Sequence, residues 1–524
     1  DTVVLDGWLD ELVATYQRTP GAGVIGPKLV YPNGLLQEAG GIVWKDGSAA
    51  NYGNLDDPMH PAYNYQRDVD YISGAAMLID RALWDKLEGF TDSFAPAYYE
   101  DTDFAMKTRA AGRRVCYQPL ATVVHFEGIS SGRDLTSGAK QYQVANQAKF
   151  IEAWRKQLST HGESGDLCRT QVDRYCQKRI LIFDAELPKP DKDSGSVTAF
   201  QVARLLSELG HRVSFVPEHL PWQGTYARNL QRLGVEVIHA PSVQNAQSFI
   251  LENGSDYDLF FLSRATTGGR ILPALKAAYP EKPIVFDTVD LHFLRLLRAA
   301  ELTGDTKDFQ EAETVKRTEL AAIHQASATM LVSEHERAYL TDEIGPFPHV
   351  LLPLILAPHT DRTGYEERLD IAFVGGYRHP PNIDAVRYLV QDIWPQLRAL
   401  KLGARLHIIG SHMPADFQDY AAEDIHVVGF VQDLDTYLSS IRVSVAPLRY
   451  GAGVKGKVGN SLRLGTPVVA TPVAAEGMSL TDGEHLLVAN SPSQFAQALY
   501  RLYTDRPLWE RLSSAGQSRV ETLY

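Results

Sequence analysis

Only three cysteines occur in 524 residues (Cys116, Cys168 and Cys176), with no Cys-x-x-Cys pair and no zinc-ligand spacing. That argues against a disulfide framework and fits a reducing cytoplasm. Apolar runs approaching the roughly 20 residues that span a bilayer are missing, as is a signal-peptide pattern. No block of like charge is long enough for a nucleic-acid arm, and the net charge of −13 has the wrong sign for a general polyanion binder. Nucleic acid is therefore excluded as a partner, and no transmembrane segment is expected. A cytoplasmic location follows, with peripheral association at the inner face of the cell membrane left open. An acidic acceptor also stays open, since local basic patches survive a negative total.

What is present is ordinary for a globular chain: 44% hydrophobic and 22% charged residues. At roughly 100–200 residues per domain, the length calls for three domains. The sequence starts without Met, inside an element, and stops at Tyr524, which reads as a fragment of a longer polypeptide. Residues 1–155 mix short strands and helices. Gly26 to Gly34 reads as a strand and a Pro-Asn-Gly turn, and Tyr71 to Ile79 as an apolar strand. Asp103 to Ala111 is helical with Gly112 as its stop, and Arg114 to Tyr117 and Ala121 to His125 are two further short strands. Residues 156–178 are polar and contain Gly and Ser, the composition of a linker.

At Arg179 the texture changes. Arg179 to Phe183 is an apolar strand, followed by a loop with Pro188, Pro190 and Gly195, a helix from Ser196 to Leu209, and the strand Gly210 to Phe215. Further strands are expected at Val235 to His239, Leu259 to Ser263, Ile284 to Asp287 and Thr329 to Val332. A second alternating run has strands at Asp370 to Gly375, Arg405 to Gly410, Ile425 to Gly429, Val443 to Pro447 and Pro467 to Thr471. Both runs read as doubly wound α/β domains, 179–360 and 361–524, and ligands in such sheets sit at the carboxyl ends of the strands.

One loop stands out. Gly451-Ala-Gly453-Val-Lys455-Gly456-Lys457 follows a strand and opens a helix. It matches G-x-G-x-x-G, with Glu476 near the offset of a ribose-binding acid, but a dinucleotide fingerprint belongs to the first βα turn, so a dehydrogenase is disfavoured. Glycines let backbone N–H groups approach phosphate oxygens, a helix N-terminus adds partial positive charge, and a lysine neutralises a departing diphosphate. The plain alternative is a Gly-rich turn with surface lysines.

This loop, with Leu464-Gly-Thr-Pro-Val-Val-Ala-Thr471 and Glu476-Gly477, resembles the donor half of GT-B glycosyltransferases of family 4. Phe373-Val-Gly375-Gly376 and Pro381-Asn382 resemble the opening of that half. Asp184 to Gly195 resembles the first acceptor-side loop, and Phe286 to His292 with Arg295 resembles a motif of bacterial polysaccharide members. The resemblance implies a retaining transferase without a covalent protein nucleophile and without a cofactor in this module. Its donor-binding residues would be Gly375, Gly376, Gly453, Lys455, Lys457, Asn460 and Glu476. Its cleft would be lined on the acceptor side by Gly195, Asp287, Asp290, His292 and Arg295. Asn460 stands where the family carries a ribose-binding glutamate, so the hydroxyl contact there lacks a charge. Read from the residues alone, Asp287 and Asp290 equally well end a strand and cap a helix. His292 reads as a packed histidine and Arg295 as a solvated helix residue.

In the first block, Tyr98-Tyr-Glu100-Asp101-Thr-Asp103 opens a helix, where acids are favoured by the dipole as caps or serve as a general base. With Val24 to Lys28, Pro32-Asn-Gly34, Tyr71 to Gly74, Gly89-Phe90, Gly112, Pro119 and Val124-His125, it resembles the acceptor part of a GT-A glycosyltransferase of family 2. The resemblance implies Asp101 as catalytic base, Glu100 as its acidic neighbour, and a divalent metal (Mg or Mn) with Asp1 and His125 as ligands. The donor-binding strands of that fold would precede Asp1.

The fold class expected is thus α/β: a partial GT-A domain followed by a GT-B fold of two Rossmann-like domains. The expected function is transfer of sugar from a nucleotide-sugar donor to a glycan or lipid-linked glycan acceptor in bacterial polysaccharide assembly. Two other readings are a non-catalytic glycan-binding scaffold and a GT-B-fold sugar-nucleotide epimerase, which needs no acceptor.

Overall fold

The computed structural model describes residues 1–126, 141–359 and 363–524. Two compact units result, Asp1–Ile182 with Ala203–Leu259, and Phe183–Val202 with Phe260–Tyr524. The expected boundary at 360/361 lies outside the described residues.

The first unit is built on a mixed sheet whose strands lie in the order Thr2–Val4, Arg114–His125, Ala22–Val30, Leu36–Glu38. Only the central pair, Ala22–Val30 with Arg114–His125, is parallel; the other pairs are antiparallel. The two short strands expected at 114–117 and 121–125 are one strand. Its partner's register jumps from Pro27↔Gln118 to Lys28↔Thr122, so Pro119, which has no N–H for the ladder, sits in a bulge. Gln118 supports the bulge by accepting the Leu120 N–H at 3.0 Å.

The strand expected from Tyr71 to Ile79 shrinks to Leu78–Ile79, with Tyr71 in an isolated bridge to Gly41. The reason is local: the N–H groups of Ser73 and Gly74 are taken by the carboxylates of Glu38 and Asp101 (3.2 and 2.9 Å) rather than by a neighbouring strand. Helix Glu100–Ala110 forms as expected, with Gly112 at φ 74° just past its end. It is braced by helix Gln141–Leu158. Asn146 donates to the carbonyls of Phe94, Ala97 and Tyr98 (2.8–3.1 Å), and Trp154 donates to Asp103 at 2.7 Å.

The polar stretch 156–178 is fastened rather than loose. Trp44 donates to the Asp166 carbonyl at 3.0 Å, the Lys45 N–H to Gly162 at 2.9 Å, and the Tyr175 hydroxyl to Asp70 at 2.6 Å. The parallel strands Arg212–Pro217 and Val235–Val237 belong to the same unit. Arg212 stacks 3.3 Å from the Tyr65 ring centre and pairs with Glu236 at 3.1 Å and Asp173 at 3.6 Å. A buried guanidinium so satisfied ties the three segments together.

The second unit holds two parallel sheets. One runs Leu259–Ser263, Ile284–Asp287, Ala328–Leu331, His349–Leu351 in sequence order. Its last strand, absent from the strands expected from the sequence, is only three residues long, all of them exposed. The other has the order Ile425–Gly429, Leu406–Ile409, Leu369–Val374, Ile441–Ala446, Val468–Ala470, Leu487–Val488. Chain order reverses around Leu369–Val374, which makes the crevice beyond its carboxyl end a ligand position. Ile371, Phe373, Ile408, Val443, Val445 and Leu462 fill the core beneath it. Among the described residues no helix is long and apolar enough to cross a membrane.

Arg368 locks this second sheet. It is 1% exposed and, among the described residues, donates no hydrogen bond to an acid. Nε donates to Thr363, Nη1 to Leu438, Ile441 and Thr466, and Nη2 to Leu464, all at 2.5–3.3 Å. Arg368→Met leaves those buried acceptors unpaired and is expected to destabilise the sheet by about 3 kcal/mol or more. Hydrogen exchange in Leu369–Val374 and Ile441–Ala446 checks this; unchanged protection contradicts it.

Candidate functional site

The glycine–lysine loop leaves the strand Ile441–Ala446 and enters helix Gly456–Arg463. Lys455 occupies the N-cap position, and its Nζ turns back to donate to the carbonyls of Ala452 (2.8 Å) and Gly453 (2.6 Å). The loop is thereby closed by its own lysine. Lys457 donates to the Asn382 side-chain oxygen and lies 4.4 Å from the Phe373 ring centre. Burial pushes Lys457 down to about 7, with Lys455 adding to the effect. Lys455 is pushed down to about 8 by burial, against the opposing pull of Glu476, Asp290 and Glu336. Among the described residues neither ammonium is hydrogen-bonded to a carboxylate.

Glycine is required around them by close approach. Gly453 has φ 67°, and a Cβ there would stand 2.9 Å from the Asp290 Cβ; one on Gly456 would stand 2.4 Å from the Ser194 Cβ. At Gly376 a Cβ would be 3.1 Å from the Lys192 carbonyl oxygen, and at Gly375 it would be 3.0 Å from Asn382. Gly195 is in helix Ser194–Glu208, not in the preceding loop as expected, because Asp193 accepts the Ser196 N–H at 2.8 Å and starts the helix early.

The facing wall comes from the strand ends Ser263 and Asp287. Asp287 accepts the Val289 N–H at 3.0 Å and the Ser263 hydroxyl at 3.3 Å, and burial pushes it up to about 7. Arg264 (φ 68°) and Val289 (φ 64°) hold left-handed backbone, a strain that clusters at functional sites. Arg264 donates to Asp184 at 2.7 Å, and a Cβ on Gly195 would meet both Val289 and Arg264 within 3.7 Å.

Asp290 does not cap the helix His292–Thr303. That helix start is taken by two carboxylates that sequence reasoning missed. Glu336 accepts the Leu291 N–H (3.1 Å), and Glu319 accepts those of His292 (3.2 Å) and Phe293 (3.0 Å). Burial pushes Glu319 up to about 8 and Glu336 to about 7. Asp290 instead pairs with Arg295 (2.9 Å) and lies 3.2 Å from His292. Burial opposes its charge, yet Arg295, His292 and His379 together hold it well below the usual carboxylate range. Arg295 is thus a paired residue, not a solvated one. His379, also missed, is pushed down to about 3 by burial and by Arg295. Its only signal in the sequence is its place before Pro380-Pro381-Asn382.

Asn460 accepts from Arg463 Nε (3.1 Å) and Nη2 (2.8 Å), which fixes its side chain. Glu476 receives both Nη groups of Arg298, at 2.9 Å each.

The first unit brings its own candidate residues to the start of helix Glu100–Ala110. Asp101 accepts the N–H groups of Gly74 (2.9 Å) and Thr102 (2.6 Å), and burial raises it above the usual range. Glu100 is also raised by burial, then by Asp101, and one of its oxygens is buried without a hydrogen-bond partner among the described residues. Glu38, fully buried and missed in the sequence, is pushed up to about 8 by burial, with Asp101 adding to it. Tyr98 and Tyr99 both sit at φ 74°, which turns the chain into the acid helix.

Thr2 pairs with His125, and the Asp1 carbonyl accepts the Phe126 N–H at 2.9 Å, so Asp1 and His125 are neighbours on adjacent strands. His125 Nδ1 lies 3.1 Å from the Gln37 side-chain oxygen. Among the described residues no group of three or more His, Cys, Asp or Glu side chains is arranged to hold a metal. Asp1 and His125 therefore make an incomplete ligand set.

Comparison with known proteins fits this geometry. Residues 368–505 match the family model described as glycosyl transferases group 1. The O-antigen biosynthesis protein RfbC of Myxococcus xanthus is 30% identical over 138 residues, 25% of this chain and 11% of that protein. An N-acetylglucosaminyl-diphospho-decaprenol L-rhamnosyltransferase of Mycobacterium tuberculosis is 29% identical over 142 residues, 25% of this chain and 46% of that protein. The chain spans less than half the length of the curated relatives it matches. Among solved structures, TarM superposes with a TM-score of 0.55 at 9% identity, covering 67% of this chain and 97% of that one, a likeness of fold alone. Residues 368–505 are thus similar to glycosyl transferases group 1, and the paired Rossmann-like sheets share the fold of TarM.

Proposed function

We propose that the second unit binds the diphosphate of a nucleotide-sugar donor at the glycine–lysine loop and transfers its sugar, with retention, to a glycan or lipid-linked glycan. The observation that carries this reading is the pair Lys455 and Lys457: two buried ammonium groups at a helix start, without a hydrogen-bonded acid between them. A diphosphate supplies the missing negative charge, and the charge grows as the bond from the anomeric carbon to the diphosphate oxygen breaks. The backbone of Gly453, Gly375 and Gly376 gives the donor close approach, Asn460 offers its amide to the ribose, and Glu476 keeps Lys455 charged. Gly195, Asp287, Asp290, His292 and Arg295 form the acceptor side. The acceptor oxygen bonds to the anomeric carbon, and its proton leaves with the diphosphate.

For the first unit the proposed reading is the acceptor part of an inverting GT-A module. Asp101 takes the proton of the attacking hydroxyl and Glu100 keeps the surroundings acidic. Mg or Mn would rest on Asp1 and His125 alone among the described residues. The names of the relatives, an O-antigen biosynthesis protein and an N-acetylglucosaminyl-diphospho-decaprenol L-rhamnosyltransferase, support a place in polysaccharide assembly.

Calorimetry with uridine, guanosine and thymidine sugar nucleotides tests the donor site. One of them is expected to bind, and Lys457→Ala and Lys455→Ala each to weaken it by roughly tenfold to a hundredfold, the worth of one charge-assisted contact. Glycan binding without any nucleotide binding would favour the scaffold, and conversion of the sugar nucleotide without an acceptor would favour the epimerase.

The lysines also dictate a pH profile. An anion favours their protonated form, and in the free protein that form is lost through about pH 7 for Lys457 and about pH 8 for Lys455. Donor affinity is therefore expected to fall above pH 7, by roughly tenfold per pH unit for each titrating lysine, with proton uptake on binding. Buffers of differing ionisation enthalpy reveal that uptake. An affinity constant from pH 6 to 9 excludes both lysines from the contact.

A further inference from the structure

Glu476 lies beside the glycine–lysine loop, yet its hydrogen bonds run away from it. Arg298, on helix His292–Thr303, donates Nη1 and Nη2 to the two Glu476 oxygens at 2.9 Å each. The same Nη1 donates to the Gly451 carbonyl at 2.7 Å, so one guanidinium holds both the first residue of the loop and the turn at 476. His335, on helix Glu334–Ile344, stands with Nε2 3.3 Å from Glu476. The next residue, Gly477, has φ 75°, and a Cβ there would lie 2.9 Å from the Ser333 hydroxyl oxygen. Loop and turn from the 363–524 part thus seat together on two helices from the 260–350 part of the same unit.

Two physical consequences follow. A planar guanidinium that serves a carboxylate in a fork and a carbonyl with the same nitrogen fixes distance and angle together, which a lysine does not. Of the neighbouring charges Glu476 does most to keep Lys455 protonated, while Arg298 works against it. Moving the pair moves both the position and the charge of the loop's lysine.

We propose that Arg298 and Glu476 form a latch that fastens the glycine–lysine loop to the acceptor-side helices, acting as positioning residues that do not touch the donor. The inference rests on the diphosphate reading of Lys455 and Lys457 for its binding readout, but not for its structural one. Arg298 belongs to no sequence motif. Glu476 changes from a donor contact to the fixed point behind one.

The test is a double-mutant cycle on the full chain with Arg298→Ala, Glu476→Ala and both together. UDP, GDP and dTDP serve as calorimetric probes, and hydrogen exchange of 451–457 and 472–478 is followed in parallel. Arg298→Lys and Glu476→Gln repeat the cycle with milder changes, so misfolding of an alanine variant leaves a reading. Under the latch, each single change weakens nucleotide binding by roughly tenfold and speeds exchange in both segments, and the double change is no worse than either single one. Lys455→Ala weakens binding by roughly tenfold to a hundredfold but leaves exchange in 472–478 unaltered. Effects that multiply in the double variant would overturn the latch. So would a Glu476 change that abolishes binding while Arg298→Ala is silent, because Glu476 then touches the donor directly. If no nucleotide binds the wild type, the diphosphate reading fails on its own, and coupled exchange in the two segments still decides the latch.

Discussion

An ammonium group taken out of water loses hydration worth several kcal/mol, and Lys457 recovers little of it, since the Asn382 oxygen and the Phe373 face are both neutral. Its place in the helix makes matters worse. Lys455 and Lys457 stand at the start of helix Gly456–Arg463, where the aligned peptide dipoles repel cations. Natural helices put lysine at the other end. A cation at the wrong end of a helix, buried, and next to a second cation is stabilised by any anion that reaches it. The same constraint explains the depressed values of both groups and the identity of their neighbours. Backbone carbonyls, an amide and a ring lower the cost of the charge without cancelling it, and so leave it available.

Such a site also has to be narrow, and here the glycines matter for what they lack. Asp290 behind Gly453, Ser194 behind Gly456 and the Lys192 carbonyl behind Gly376 are each placed where a methyl group would stand within 3.1 Å. The wall opposite the loop therefore approaches to backbone distance. That wall is stiff in its own right. Glu319 and Glu336 satisfy the start of helix His292–Thr303, which leaves Asp290 to Arg295 and His292 instead of to backbone N–H groups. Charge on the wall is thus internally paired, whereas charge on the loop is not, and a ligand's charge is directed to the loop.

Strands were legible where an apolar run is bounded by turn residues. Ile425–Gly429, Ile284–Asp287 and Leu259–Ser263 fall where the sequence puts them. Legibility failed where the partner of a backbone group is a distant side chain. The strand expected at Tyr71 to Ile79 was dissolved by Glu38 and Asp101, which lie 35 and 27 positions from their N–H partners, and no local pattern records that. The site divides in the same way. The loop and its lysines form one contiguous motif and were readable. Glu319, Glu336, His379 and Arg298 act across the fold from unremarkable helical or pre-proline sequence, and only their side-chain contacts reveal them. Gly195 was misplaced for a smaller reason, an aspartate two residues earlier that starts the helix sooner than the glycine suggests.

The acids of the first unit carry the complementary lesson. Glu38, Glu100 and Asp101 are raised by burial as the lysines of the second unit are lowered by it, and in each cluster the neighbours of like sign add to the shift. Asp101 differs from Glu38 in one respect that bears on chemistry. Its two backbone N–H partners and the Thr102 hydroxyl pull it back towards the charged form, while Glu38 has only the Ser73 N–H to oppose its burial. Between two neighbouring carboxyl groups under the same penalty, the one with more donors ionises first, and its charge then keeps the other protonated. A base must be ionised before it can accept a proton, and its affinity for that proton should lie near working pH. Asp101 has more donors with which to hold a charge than Glu38 has, and burial raises both. The turn at Ser73-Gly74 that replaced the expected strand gives one N–H to each acid, and it is Thr102, through its N–H and hydroxyl, that tips the balance of charge towards Asp101.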